Sequence, residues 1–141
     1  MRVPGIGEKR LYEADLAAAL LRAEEELRFM EKNEVDVIFY TDPAYPKRLK
    51  NCAYGPVLLY AKGTMDLNPQ HVISIVGTRN ATEYGKQLCR LLVEELQQYN
   101  TLIVSGLALG VDVCAHKESI KQNLPTVGVL GHGLDRIYPA Q

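Results

Sequence analysis

Apolar residues along this chain recur first at helical spacing and later in short unbroken runs, and this change predicts the elements. Over residues 8–33 the apolar positions lie three or four residues apart, which places them on one face of a long amphipathic helix. They are Leu16, Leu20, Ala23, Leu27 and Met30. Two short strands are predicted over residues 35–40 and 56–61, separated by an irregular stretch that contains prolines.

Residues 71–141 have the clearest pattern, because apolar strands alternate there with amphipathic helices. The predicted elements are strand 72–76, helix 83–99, strand 102–104, helix 111–123 and strand 126–130. The face of the first helix that we expect to be buried carries Leu88, Leu92, Leu96 and Tyr99. Unbroken apolar strands in this order predict a parallel sheet with helices on both faces and right-handed crossovers. The predicted class is therefore α/β, with a Rossmann-like parallel sheet preceded by a helical segment.

Each strand of this sheet is followed by glycine or another small residue. The residues concerned are Gly77, Thr78 and Arg79 after the first strand, Ser105, Gly106 and Ala108 after the second, and Gly131, His132 and Gly133 after the third. The carboxyl ends of parallel strands meet at one edge, where ligands bind such sheets, and glycine allows close approach to the backbone. Helix N-termini and an arginine at that edge favour phosphate. We therefore predict that Arg79 binds phosphate; the alternative is a surface arginine that bridges two loops.

Other polar residues near this edge have two readings each. Asn80 and Thr82 can donate to phosphate or cap the following helix. Tyr84 and Tyr138 can stack on a base or pack against neighbouring helices. His132 faces either ligand or solvent, and the sequence does not choose between them.

Asp112 and His116 share a helix face at i, i+4, which suits a structural Asp–His hydrogen bond or a cap by Asp112. A third metal ligand is not evident beside them, so no metal site is predicted. The sequence contains neither a G-x-G-x-x-G nor a P-loop motif, and no G-x-S-x-G motif, so we predict no catalytic residue and no cofactor.

Composition excludes several classes of protein. The net charge is −1, so binding of nucleic acid would need a local site. Lys47, Arg48 and Lys50 form a small basic cluster in the stretch between the first two predicted strands. Apolar runs are too short to span a membrane, and the N-terminus lacks the pattern of a signal peptide.

The three scattered cysteines predict buried, inert thiols in a reducing cytoplasm. A turn at residues 4–7 resembles half of a helix–hairpin–helix, but the partner helix is missing and we interpret it as a plain helix N-terminal turn.

Four sequence boxes together resemble the DprA/Smf family of DNA-processing proteins. They are YPKRL (45–49), SIVGTRNATEYG (74–85), SGLALGVDVCAH (105–116) and GVLGHGLDRIYP (128–139). The resemblance implies a protein that binds single-stranded DNA without sequence preference and loads RecA onto it in natural transformation, in the cytoplasm, as a possible homodimer when full-length. It implies that Arg79 contacts DNA phosphate, that Ser105, Gly106 and Ala108 line the same pocket, and that Asp112 and His116 are mainly structural.

The same resemblance implies how the chain is organised. Residues 1–33 correspond to the remnant of a helical SAM-like domain, and residues 34–141 to the N-terminal half of an extended Rossmann domain. Family members continue beyond this point, so we expect the chain to be a piece of a longer protein. The alternative function is that of a related Rossmann group that cleaves nucleotide N-glycosidic bonds, but its P-G-G-x-G-T box is absent from the sequence.

Overall fold

The computed structural model describes residues 16–136, so the turn at residues 4–7, the predicted helix start and Tyr138 lie outside the described part. The chain divides into two compact units. One contains the residues up to Val37 together with Leu59–Gly63, and the other contains Ile38–Leu58 and the residues from Thr64 onward. The predicted division into 1–33 and 34–141 stays a prediction.

The first unit is dominated by helix α1 (Leu16–Asn33). The helix ends at Asn33 and is followed by Glu34, which has a φ of 54°. Ion pairs one turn apart, such as Arg22 to Glu26 at 2.7 Å, stabilise its polar flank. The predicted apolar face is present but exposed, since Leu16 and Leu20 are 69% and 67% exposed. This face therefore contributes little burial to the described structure.

The two short predicted strands form a two-stranded sheet of β1 (Asp36–Phe39) and β2 (Leu58–Ala61). The stretch between them, which we expected to be irregular, contains one helical turn, α2 (Lys47–Lys50). Proline initiates this turn because its fixed φ suits the start of a helix, and Leu49 N donates to Pro46 O at 2.9 Å.

The second unit contains a parallel three-stranded sheet whose strands lie in the order β3-β4-β5, which confirms the α/β class. Its elements are β3 (Val72–Ser74), α3 (Glu83–Leu96) with a 3-10 turn (Gln97–Tyr99), β4 (Leu102–Ser105), α4 (Val111–Lys121) and β5 (Thr126–Gly128). β3 and β5 are shorter than predicted, although Ile75 N still donates to Val104 O and Val129 N to Ser105 O.

Helices α3 and α4 pack against each other, and α4 also packs against β4 and β5. The buried cluster that joins them consists of Ile75, Cys89, Val93, Ile103, Ala115 and Leu124. The predicted buried face of α3 is wrong by one position, since Leu88 and Leu92 are about half exposed whereas Cys89 and Val93 are buried. Both stripes have helical spacing, and the stripe with smaller side chains is the one that meets Ala115 of α4.

Candidate functional site

The residues predicted to bind phosphate lie where β3 and β4 end, in two loops of the same unit. The loop after β3 rests on the start of α4. Val111 N donates to Thr78 O at 3.2 Å, and a Cβ on Gly77 would lie 2.6 Å from the Val111 side chain. The backbone around Thr78 is therefore fixed by α4, and Arg79, which is exposed, extends from this fixed backbone.

Gly110 allows the loop after β3 to approach the start of α4 closely, and the sequence motifs did not identify this role. It has a φ of +89°, and a Cβ there would collide with Thr78 O and lie 2.5 Å from Arg79 O. Only glycine combines this conformation with this contact at low cost. The signal in the sequence was a glycine directly before a helix start in A-L-G-V-D, which we interpreted only as part of a glycine-containing box.

The threonines around Arg79 bond to backbone. Thr82 is the N-cap of α3, and its hydroxyl oxygen accepts from Gly85 N at 3.1 Å, so the capping alternative is the one observed. Thr78 Oγ1 accepts from Asn80 N at 3.2 Å.

In the first turn of α3, the hydrogen bond from Lys86 lowers the pKa of Glu83.

At the start of α4, two of the N–H groups that would be expected to face an anion already have partners. Val111 N donates to Thr78 O, and Val113 N donates to Ala108 O at 3.2 Å. Asp112 lies in the first turn, where its negative charge already compensates the helix dipole. The predicted phosphate contact therefore depends on Arg79 more than on α4.

Ser105 and Gly106 are tightly packed in this structure. Ser105 is 2% exposed, and its hydroxyl donates to Ile75 O at 2.6 Å, which links β4 to the end of β3. A Cβ on Gly106 would lie 2.6 Å from Asp112 Oδ2, so this glycine makes room for a buried carboxylate. Ala108 is half-buried and contributes its carbonyl to α4. Phosphate binding by these three residues stays a prediction.

The two predicted roles for Asp112 are both wrong. His116 Nε2 donates to Gly106 O at 2.7 Å, and Nδ1 lies 2.7 Å from Thr126 Oγ1, so the imidazole ties the end of β4 to the start of β5. Because both ring nitrogens have these partners, the Asp–His bond does not form. The N-cap of α4 is Gly110, with no side-chain cap. Asp112 Oδ1 is buried without a hydrogen-bond partner in the described structure.

The remaining candidates near this edge have definite positions. Tyr84 is 71% exposed, so the alternative of packing against helices is not observed. His132 is half-buried, with Nδ1 2.9 Å from Gly133 O. Leu107, in the β4–α4 loop, packs against Gly128, where a Cβ would lie 2.8 Å from its side chain.

The cysteines only partly fit the expectation of buried thiols. Cys89 is buried, and this burial, together with the neighbouring Cys114, raises the pKa of its thiol to about 11. Cys114 is half-buried. Cys52 is exposed, which corrects the prediction; it lies in the turn after α2, where no core is available to cover it.

Residues 16–136 contain neither a metal-binding cluster nor a membrane-spanning helix, but they form a cavity away from the candidate site. No group of three His, Cys, Asp or Glu side chains in this range is arranged to hold a metal ion. Nor does any helix of the described part have the length and hydropathy to cross a membrane. A cavity of about 540 Å³ lies at the opposite edge, where Asn100, Leu124 and Pro125 precede strands β4 and β5. Ligands of parallel sheets bind at the carboxyl ends, so this cavity is not the expected site.

A parallel three-stranded sheet flanked by helices, with an exposed arginine on a glycine-supported loop at its carboxyl edge, defines an α/β protein of Rossmann-like type. Residues 36–141 match the model of the family described as DNA recombination-mediator protein A, and the chain belongs to this family.

Known proteins agree with this assignment. The DNA processing protein DprA of Bacillus subtilis is 42% identical over 108 residues, which cover 76% of this chain and 36% of that protein. The DNA processing protein DprA of Streptococcus pneumoniae is 36% identical over 98 residues, which cover 70% and 34%. The X-ray structure of DprA from Streptococcus pneumoniae gives a TM-score of 0.73 at 30% identity, covering 99% of this chain and 46% of that one. The chain thus spans about a third of the length of these curated relatives.

Proposed function

We propose that this chain binds single-stranded DNA through its phosphate backbone at the carboxyl edge of β3 and β4. The observation that carries the proposal is Arg79, exposed on a backbone that Gly110 and Val111 hold in place. A guanidinium on a fixed backbone loses less conformational freedom when it forms a bidentate pair with phosphate. Membership of a DNA recombination-mediator family supports DNA as the source of that phosphate.

We propose further that the whole protein protects incoming DNA and loads RecA onto it in the cytoplasm during transformation, with a homodimer as its possible form. This step rests on the family and on the names of its relatives, which are DNA processing proteins.

We also propose that the chain acts without catalysis. The competing function, cleavage of a nucleotide N-glycosidic bond, would need the P-G-G-x-G-T box, which this sequence lacks. Incubation with AMP and chromatographic detection of free adenine tests this directly. Release of adenine above the rate of a buffer blank would support the enzyme instead.

The first experiment replaces Arg79 by alanine and measures binding of a fluorescent oligothymidine of about 16 nucleotides at several salt concentrations. Loss of one phosphate contact is expected to reduce the slope of log affinity against log salt by about 0.7. The matched control is Arg28→Ala, because Arg28 is an exposed arginine on α1. An unchanged slope and affinity for Arg79→Ala would overturn the proposed site.

A further inference from the structure

A second region of the chain concentrates the residue types that bind single-stranded nucleic acid. Residues 38–58 contain four of the ten aromatic residues of the chain, and these are Phe39, Tyr40, Tyr45 and Tyr54. The same segment contains Lys47, Arg48 and Lys50, with Asp42 as its only acidic residue. We call residues 38–58 the tyrosine–lysine segment. Its local charge is positive although the whole chain carries −1.

One buried tyrosine fixes the shape of this segment. Tyr45 has an exposed fraction of 0%, and its hydroxyl donates to Pro56 O at 2.6 Å. Burial, followed by the neighbouring Tyr40, raises the pKa of this phenol. Asn68, outside the segment, donates to Tyr45 O at 3.2 Å and accepts from Lys47 N at 2.7 Å. The segment is therefore held in place from within and from the chain that leads into β3.

The basic residues of the segment have different tasks. Arg48 donates to Pro69 O at 3.1 Å and to Gln70 O at 2.8 Å, so its guanidinium is used to hold the backbone. The ammonium of Lys50 lies 5.2 Å from the ring centroid of Tyr40, a cation–π distance that orients the lysine. Lys47 is exposed, and among residues 16–136 no ion pair involves Lys47 or Lys50. Two positive charges thus remain available to a polyanion.

Tyr54 is the most exposed large apolar or aromatic side chain in the described structure, at 98%. It lies in a hydrogen-bonded turn, in which Cys52 N donates to Leu49 O and Gly55 N donates to Cys52 O, both at 3.1 Å. Gly55 is required there, because a Cβ would lie 2.8 Å from Leu49 O. The ring of Tyr54 gains no burial from folding, yet its backbone is fixed. Such a ring is a ready platform for a stacked base.

We propose that the tyrosine–lysine segment is a second contact surface for single-stranded DNA, in which a base stacks on Tyr54 and Lys47 and Lys50 bind the adjacent phosphates. The inference rests on the proposed function, since it extends the binding path beyond Arg79. Aromatic stacking combined with basic residues accepts any base sequence, because every base has a π-face. An acidic protein segment would use the lysines but would have no need of an exposed ring.

The test exploits the absence of tryptophan from the chain. Tyr54→Trp introduces a single tryptophan, whose emission can be excited apart from that of the tyrosines, and oligothymidine is expected to quench this emission by stacking. The matched control is Tyr99→Trp, because Tyr99 is accessible to solvent, at 55% exposed, but lies beside His71 at the end of the 3-10 turn. Equal quenching at both positions, or none at position 54, would overturn the stacking contact.

Affinity measurements complete the test with three variants. Tyr54→Ala is expected to weaken oligothymidine binding about tenfold without changing the salt slope, since stacking is worth about 1.4 kcal/mol or more. Lys47→Ala is expected to reduce the slope by about 0.7, whereas Lys117→Ala, an exposed lysine on α4, leaves it unchanged.

The outcomes separate this inference from the proposed function. If Arg79→Ala weakens binding while Tyr54→Ala and Lys47→Ala do not, only the second surface is wrong. If the unmodified chain binds no oligothymidine, both are wrong. If polyglutamate displaces the oligothymidine and only the lysine variants respond, the segment binds acidic protein chains and the proposal is overturned.

Discussion

The two candidate surfaces of this chain are built in opposite ways. At the carboxyl edge of β3 and β4, buried hydroxyl, imidazole and glycine positions hold a loop that exposes one arginine. In the tyrosine–lysine segment, a single buried residue, Tyr45, supports several exposed rings and lysines. Changes at the edge should therefore alter folding and binding together, whereas changes at exposed positions of the segment should alter binding alone.

Gly110→Ala is expected to have the largest effect. Alanine at a φ of +89°, with its Cβ against Thr78 O and Arg79 O, should cost about 3 kcal/mol in backbone strain and displacement. Thermal unfolding followed by circular dichroism should show a fall in Tm of roughly 10 °C. Gly131→Ala is the control, because a Cβ there meets nothing within 4 Å. Equal Tm values for the two variants would contradict the tight packing of the edge.

Ser105→Ala sharpens the comparison, because the sequence and the structure give Ser105 different roles. Removal of the buried bond to Ile75 O should lower stability by about 1–2 kcal/mol. Ser74, an exposed serine on β3, provides the control Ser74→Ala. Denaturant unfolding measures the stability, and oligothymidine binding is measured at a temperature where both variants are folded. Unchanged stability with weaker binding would instead support the phosphate contact that the family resemblance implies.

The parts of the fold that the sequence predicts well are those governed by periodicity. The order of strands and helices from residue 72 onward is correct because each element has its own hydrophobic repeat. The buried face of α3 was not predictable, since two adjacent stripes have the same spacing and only packing against Ala115 decides between them. The predicted contact between Asp112 and His116 is also wrong, although their spacing favours a hydrogen bond between the two side chains. His116 instead contacts Gly106 O and Thr126 Oγ1, which lie outside α4. The spacing of residues along α4 therefore does not predict these contacts.

The site was only partly predictable for the same reason. Arg79 and the glycine-containing boxes are visible in the sequence, and the structure places them in loops at the ends of β3 and β4. The support that Gly110 gives to Thr78 requires the loop after β3 to meet the start of α4, a contact about 30 residues apart in the chain. Likewise, Tyr54 is exposed whereas Tyr45 in the same segment is buried, and composition does not distinguish the two tyrosines.

Tyr45→Phe tests the other side of the comparison with a smaller change. The variant keeps the buried ring and loses only the bond to Pro56 O, so Tm should fall by about 2–4 °C. That bond joins Tyr45, before α2, to Pro56, after the turn that contains Tyr54. The quenching of Tyr54→Trp by oligothymidine should therefore also weaken in the combined variant. Tyr99→Phe is the control. Full quenching with a lowered Tm would show that the display of Tyr54 does not depend on Tyr45.

Glu118→Gln gives the smallest expected effect and probes whether α4, which supports the edge, is sensitive to acid. Hydrogen bonds from Gln122 and Lys121 lower the pKa of Glu118 in the folded chain. A lowered folded pKa means that the carboxylate contributes stability above its unfolded pKa, and this contribution is lost as pH falls through the folded value. Denaturant unfolding between neutral pH and the acid range should therefore show a loss in the unmodified chain that Glu118→Gln reduces, by less than about 1 kcal/mol. Glu95→Gln, at an exposed position of α3, is the control. If the unmodified chain and both variants lose stability in parallel as the pH falls, groups other than Glu118 cause the loss and the prediction is wrong.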